Sequence, residues 1–587
     1  MNLLEDRWIP IRRASGQRER IAPHEITDCI DTDPVVALDA PRPDFNGALI
    51  QFLIGLVQTA WVRADRFWEL DDMLWSPPTP QALAALFAPL KEAFELDGDG
   101  PRFMQEFSMR PTGKENELRD VRALLIDAPG EATLLENRDH FVKRGVVQAM
   151  CFHCSAIGLF TLQIHAPNGG RGHVPSLRKG GEITTLIAFT DANTGPRAAL
   201  WRDVACNVLD TPTFKSMCDA GKVDPAHTFP WLAALDSLQR AGGQTWPRDV
   251  HPSHQFWPMP RRIRLDFDDV RAGACDVCGE ATSSLITRYF TWPSGLNYNG
   301  ESKEEKFQRK EPGASSKQKR SAFPNWQHPL SPYLKQAAKT VPATLGDGGP
   351  TYRHWLGWAV GSRRGGAEVL PAAAVSAFHS SRLVPGQVRL WVFGYVMDNM
   401  KARCWYETTF PLFDLPVGTD RSAESAELIV AMVEPLIAAA EAVAQYLRFA
   451  VRDAWFGNGE ARGDLGFVEA SLWNLTERDF FAVVEQAIAL SREHGRAAFD
   501  QTEPLRRAWL DTLRRSALRL FDEVAASGRV EAGNPGKLAA AHRTLRRHLY
   551  GEKLLAALGL IAGDPPGASG RSRRAGGKAN KPSLEAR

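Results

Sequence analysis

Four of the eight cysteines stand in two matched pairs. "MCFHCSAIGLF" (Met150–Phe160) holds Cys151 and Cys154, and "ACDVCGE" (Ala274–Glu280) holds Cys275 and Cys278. Two residues between thiols let both sulfurs reach one ion at about 2.3 Å. Gly279 directly follows the second pair and suits the tight turn of a metal knuckle. Two such pairs fit a four-thiolate zinc site. About 120 residues separate them, so the ion staples two remote segments together. Four thiolates fill a tetrahedral zinc and leave no open position, which makes the expected Zn2+ structural and not catalytic. The remaining cysteines are too sparse for a disulfide scaffold in a chain of 587 residues.

Other catalytic patterns are missing. His251 and His254 ("HPSH") have metal-ligand types, but Pro252 intervenes and no acid lies nearby at helical spacing. They are expected to be exposed loop histidines and not a zincin helix. "NGGRG" from Asn168 and "GDGGP" from Gly346 are glycine-rich, yet neither ends in the Gly-Lys-Ser/Thr of a nucleotide phosphate loop. No HExxH or GxSxG occurs.

The elements that must position these groups can be read from composition and periodicity. The chain is 44% hydrophobic and 24% charged, with a formal net charge of +2. Nucleic-acid contact must therefore come from local patches and not from the whole molecule. The opening "MNLLEDRWIP" puts acid, base and Trp where a signal peptide carries its apolar core, so a cytoplasmic location and no membrane partner are expected. Phe45 to Val62 lacks charge, but its apolar residues recur at helical spacing with Gln51 and Gln58 interposed, which predicts a helix buried in a soluble core. "EITTLIAF" (Glu182–Phe189) reads as a strand. "QVRLWVFGYVM" (Gln387–Met397) and "KARCWYE" from Lys401 read as a β-hairpin, its tip at Met397–Lys401, since Asp398 and Asn399 tolerate turn conformations.

Residues 301–322 carry almost no apolar side chains and are expected to form a solvated, flexible insertion. After about Thr419 the chain becomes Ala-rich with helical periodicity. That stretch, with a kink expected at Pro435, joins helices near Thr476–Arg492, Glu503–Ser527 and Lys537–Leu558. The fold class is thus α+β: a large mixed α/β N-terminal domain with a zinc-stapled region (1–418) and an all-α C-terminal four-helix bundle (419–563). A disordered basic tail (564–587) follows.

These pieces together resemble the CasA-like large subunits of the type I-E CRISPR surveillance complex, Cascade. The resemblance rests on "MNLLEDRWIP", on "CFHCSAIGLF…APNGGRG…LRKGGEITTLI", on "CDVCGE" and on Trp326–Pro332 ("WQHPLSP"), in order along most of the chain. It implies a non-catalytic protein with a four-Cys zinc site. Such a protein recognises the protospacer-adjacent motif (PAM) of double-stranded target DNA, starts R-loop formation, and helps recruit a helicase-nuclease. Its implied partners are the other Cascade subunits and the 5′ handle of the guide RNA.

The resemblance also assigns residues. A glycine loop after Ala166-Pro167 falls on Asn168, Gly169, Gly170, Arg171 and Gly172. Glycines there let the backbone approach minor-groove base edges, although the same run also fits an ordinary surface turn. Arg171 departs from a pure glycine run and suits a groove or phosphate contact. A minor-groove lysine matches Lys306, with Lys303 and Lys310 as alternatives in the same charged run. The duplex wedge falls on the hairpin tip: Asp398, Asn399, Met400 and Lys401. Met400 stands where the family carries a second amide, and is suited to press on an unstacked base. "NRDHFVKRG" resembles the loop that seats the RNA handle, with Phe141 stacking and Lys143 and Arg144 on phosphates. The competing reading is a stand-alone zinc-containing nuclease or hydrolase.

Overall fold

The computed structural model describes residues 1–64, 70–114, 117–128, 145–169, 173–189, 199–217, 224–239, 243–298, 326–336, 339–346, 348–364, 367–380, 388–398, 401–413, 422–456, 464–527 and 535–561. Two compact units divide the chain, Met1–Ala426 and Glu427–Arg587. The first is mixed helix and sheet and the second is helical among the described residues, which is the expected α+β class.

Helix Pro43–Arg63 is the axis of the first unit. It is apolar enough to cross a membrane by length, but 94% of its apolar window is buried inside the fold. Its glutamines are buried too, and each is answered by a polar partner. Gln58 Nε2 donates to the Leu209 carbonyl at 3.0 Å and its Oε1 accepts from the Leu209 amide at 2.7 Å. Gly55 lets Phe256, the last residue of the turn Pro252–Phe256, approach the helix: a Cβ on Gly55 would lie 2.8 Å from Phe256 Cβ. Around Phe52 the rings of Trp8, Phe94, Phe160 and Trp257 stand edge-on at 5.2–5.8 Å. Each such pair adds about 0.5–1.5 kcal/mol beyond area burial.

Two sheets carry the candidate sites. In one, strand Ala281–Ile286 lies between Met150–Cys151 and Val270–Ala274, all antiparallel. In the other, Val388–Asp398 lies between Ile183–Phe189 and Lys401–Pro411, again antiparallel. The expected strand and hairpin are therefore present. Hairpin pairing continues to Asp398↔Lys401. Asn399 and Met400, between them, lie outside the described residues.

The long helices of the second unit are Gly466–His494, Glu503–Ser527, Pro535–Leu549 and, from Glu427 on, the helix Ser422–Phe456. Trp509 joins three of them: its indole N–H donates to the Leu436 carbonyl at 3.0 Å, and its ring packs on Phe480 at 5.7 Å. His548 stacks on Tyr446 at 4.8 Å. Pro435 lies inside Ser422–Phe456, where a kink is expected. Two expectations need correction. The helix expected from Thr476 begins ten residues earlier, at Gly466. The stretch expected as one helix over Lys537–Leu558 is two, because Gly551 takes an extended conformation and caps Glu552–Ala557.

Candidate metal centre and nucleic-acid interface

Cys151, Cys154, Cys275 and Cys278 meet with all four sulfurs within 4.8 Å of one another. Their surroundings explain why. Cys151 ends a short strand and caps helix Phe152–His165, its sulfur accepting the Cys154 amide at 3.4 Å. Opposite, the 275–278 knuckle closes with the Gly279 amide on the Cys275 carbonyl at 2.8 Å, Gly279 at φ +77°. The Cys151 amide donates to Cys275 Sγ at 3.3 Å. The Asp276 carboxylate accepts the Gln148 and Ala149 amides at 2.7 and 2.8 Å, which ties the knuckle to the other strand.

Four thiols this close cannot all ionise without a cation. Hydrogen bonding from Cys151 and then Cys154 holds Cys275 far below the usual thiol range, and hydrogen bonding from Cys154 brings Cys278 to about 7. The bond with Cys154 works to lower Cys151, but Cys275 and burial push it up to about 12. Hydrogen bonds to Cys151, Cys275 and Cys278 push Cys154 higher still. A divalent ion resolves this conflict, because thiolates are its ligands. The buried donor set thus fits a metal ion. His153 and Glu280 also lie near the Cys151 sulfur, but Arg20 engages Glu280 at 2.5 Å.

The "HPSH" histidines are corrected. His254 is fully buried, with Nε2 2.8 Å from the Tyr298 hydroxyl and its ring on Trp326; His251 is half-buried. Burial pushes His254 down to about 3 and His251 to about 4. Both are neutral near pH 7, His254 inside the core and His251 at its edge. Local sequence could not show that the segment dives under a Trp more than seventy residues downstream.

The loop expected to read DNA starts where helix Phe152–His165 stops before Pro167, which lacks an N–H and disfavours helix in its predecessor. Asn168 and Gly169 are exposed. Gly170, Arg171 and Gly172 lie outside the described residues, as do Lys303, Lys306, Lys310, Phe141, Lys143, Arg144, the insertion 301–322 and the tail 564–587. The base of the loop is closed on both sides. The Ser176 amide donates to the Ala166 carbonyl at 2.8 Å, and the Gly169 amide to the His173 carbonyl at 3.0 Å. The buried Arg261 guanidinium donates to the Pro167 and Val174 carbonyls. Burial pulls Arg261 down to about 10, still cationic near neutrality.

At the hairpin, Asp398 and Lys401 are exposed and Asp398 pairs with Arg403. Tyr395 anchors the hairpin: its hydroxyl donates to Asp44 Oδ2 at 2.6 Å, and Arg42 holds the other Asp44 oxygen at 2.9 Å. Trp405 presses on the core helix where Gly47 leaves room; a Cβ there would be 2.7 Å from its ring.

Residue patterns alone missed the network between these two parts. Arg178, Glu182 and His165 are all buried. Arg178 donates to Gln51 Oε1 at 2.7 Å and to the Thr184 and Ser331 hydroxyls at 3.0 Å. Its Nε lies 3.4 Å from Glu182, whose other partner is His165 Nδ1 at 2.7 Å. The His165 ring stands edge-on to Tyr395 and Trp405 at 6.1 and 5.9 Å. An Arg and a Glu four residues apart around Lys-Gly-Gly, leading into an apolar strand, was the available signal.

A family model described as CRISPR-associated protein Cse1 matches residues 2–520. Thermobifida fusca Cse1 is similar over 96% of this chain and 99% of its own, at 13% identity and a TM-score of 0.64. Thermus thermophilus CasA is similar over 94% and 99%, at 16% identity and a TM-score of 0.57. A chain of a CRISPR RNA-guided surveillance complex is similar over 94% and 99%, at 14% identity and a TM-score of 0.56. Likeness at these identities establishes the shared fold.

Proposed function

Because the chain belongs to the CRISPR-associated Cse1 family, we propose that it is the large, non-catalytic subunit of a cytoplasmic type I-E Cascade complex that recognises a PAM through the minor groove. The likeness to a chain within a CRISPR RNA-guided surveillance complex supports assembly with other Cascade subunits and a guide RNA. Within that assembly Phe141, Lys143 and Arg144 seat the RNA handle, and the subunit helps recruit the helicase-nuclease. The cysteines hold one structural zinc ion that keeps the helix before the glycine loop in place; four thiolates offer no open position for hydrolysis.

One observation supports the reading: the turn Lys179–Gly181 packs both on Ala166 and Pro167, where the glycine loop begins, and on Met397 of the hairpin. Asn168–Gly172 and Lys306 grip the groove, and the 398–401 tip plugs the adjacent base step. Opening that step costs a few kcal/mol before guide pairing compensates. Once pairing starts, the RNA–DNA hybrid roughly replaces the duplex it displaces. A grip plus a plug lowers this nucleation barrier without ATP. Minor-groove patterns are degenerate, so several PAMs should be accepted.

The test is Gly170→Trp in the reconstituted complex. PAM-dependent binding should disappear with assembly intact. Normal binding of PAM-bearing DNA would overturn the loop assignment. Purified chain with added divalent metal should not cut DNA; cleavage abolished by the cysteine substitutions would favour the nuclease reading.

A further inference from the structure

Residues 179–183 pack on Ala166 and Pro167, at the entry of the glycine loop, and then pair with the hairpin. Lys179, Gly180 and Gly181 all adopt left-handed backbone, at φ +76°, +73° and +78°. At a non-glycine residue this conformation costs about 1–3 kcal/mol and persists only where surroundings enforce it. The surroundings here face two ways. A Cβ on Gly180 would lie 2.7 Å from Pro167 Cα and 2.9 Å from the Ala166 carbonyl, at the loop's entry. A Cβ on Gly181 would lie 2.7 Å from Met397 Cγ, on the hairpin. Next, Ile183 pairs with Gly394, where a Cβ would come within 2.6 Å of the Glu182 carbonyl. The hairpin register shifts between Val396 and Met397, and such a bulge re-aims the side chains around it. Arg178 and Glu182, one on each side of the turn, are locked by the buried network that also reaches the core helix.

We propose that the Lys179–Gly180–Gly181 turn, clamped between Arg178 and Glu182, is a positioning element that couples the glycine loop to the hairpin. Groove engagement by the loop then places the hairpin tip at the adjacent base step. The inference rests on the function proposed above. Gly181 and Met397 act through their mutual contact and not through DNA.

The experiment compares assembled complexes carrying wild-type chain, Gly181→Ala, Met397→Ala and the double substitution. Their targets are a PAM-bearing paired duplex, the same duplex with a few mismatched pairs beside the PAM, and a PAM-less version of each. Gly181→Ala should bind the paired duplex about tenfold more weakly and the pre-opened one within about threefold of wild type, keeping its PAM preference there. Met397→Ala, a half-buried hairpin position that leaves the turn untouched, should lose about threefold on the paired duplex only. The double variant should lose less than the two single losses combined, as residues in contact do. Equal loss on both duplexes, no loss, or additive losses would overturn the coupling. A wild-type complex that ignores the PAM would instead overturn the underlying function.

Discussion

Glu182 and His165 meet inside the first unit, Oε1 to Nδ1 at 2.7 Å, both sealed from solvent. Burial works against the Glu182 charge, but Arg178 and then His165 outweigh it and hold the carboxyl below its ordinary range. A carboxyl lowered in this way contributes stability that is present above its unfolded value, about 4.3, and is lost as pH falls through the lower folded value. Glu182→Gln leaves the buried Arg178 charge unpaired, at a cost of about 3–5 kcal/mol at neutral pH. Melting curves from pH 7 to pH 3 should show the two proteins converging below about pH 4. A constant gap across that range would contradict the assignment.

At the metal site, elemental analysis should find one zinc per chain. Cys275→Ser should release it, since it removes one of the four thiolate ligands. Loss of a structural metal removes folding free energy directly, so the first unit should melt earlier while the helices of the second remain. Full zinc retention by Cys275→Ser would contradict a four-thiolate centre.

Tyr395→Phe deletes one buried hydrogen bond to a carboxylate, a contact that contributes about 1.5–3 kcal/mol. Thermal unfolding should register a loss of about 2 kcal/mol, because Arg42 still pairs with Asp44. An unchanged midpoint would remove Asp44 as the hairpin's anchor.

Lys179→Gly makes the opposite prediction. Relief of left-handed strain is worth about 1–2 kcal/mol, and the added flexibility of the unfolded chain takes back about 0.4–1. Calorimetry should therefore show a gain of about 0.5–1 kcal/mol. A loss of stability would mean that the Lys179 side chain matters more than its backbone.

These predictions fall on both sides of what sequence made legible. Cys151 and Cys154 announced a metal half-site because ligand spacing is a local property, and their twin pair supplied the other half. The hairpin was legible because Val388–Asp398 and Lys401–Pro411 are rich in β-formers and meet at turn residues. Arg178, Glu182, Gln51 and Ser331 were not, because their partnership exists only after remote segments pack. His254 failed for the same reason: Pro252 and the lack of a nearby acid suggested an exposed loop, while Tyr298 and Trp326 bury it. Gly551 stayed hidden inside helical periodicity, since a cap depends on one residue's backbone and not on the pattern around it.

The central claim is that this chain supplies PAM recognition by shape. It is tested most directly by titrating complexes assembled with and without the chain against duplexes that differ only in the pairs flanking the guide-matched sequence. The account predicts that discrimination between flanks appears only when the chain is present. Equal affinity for every flank in the complete complex would contradict it.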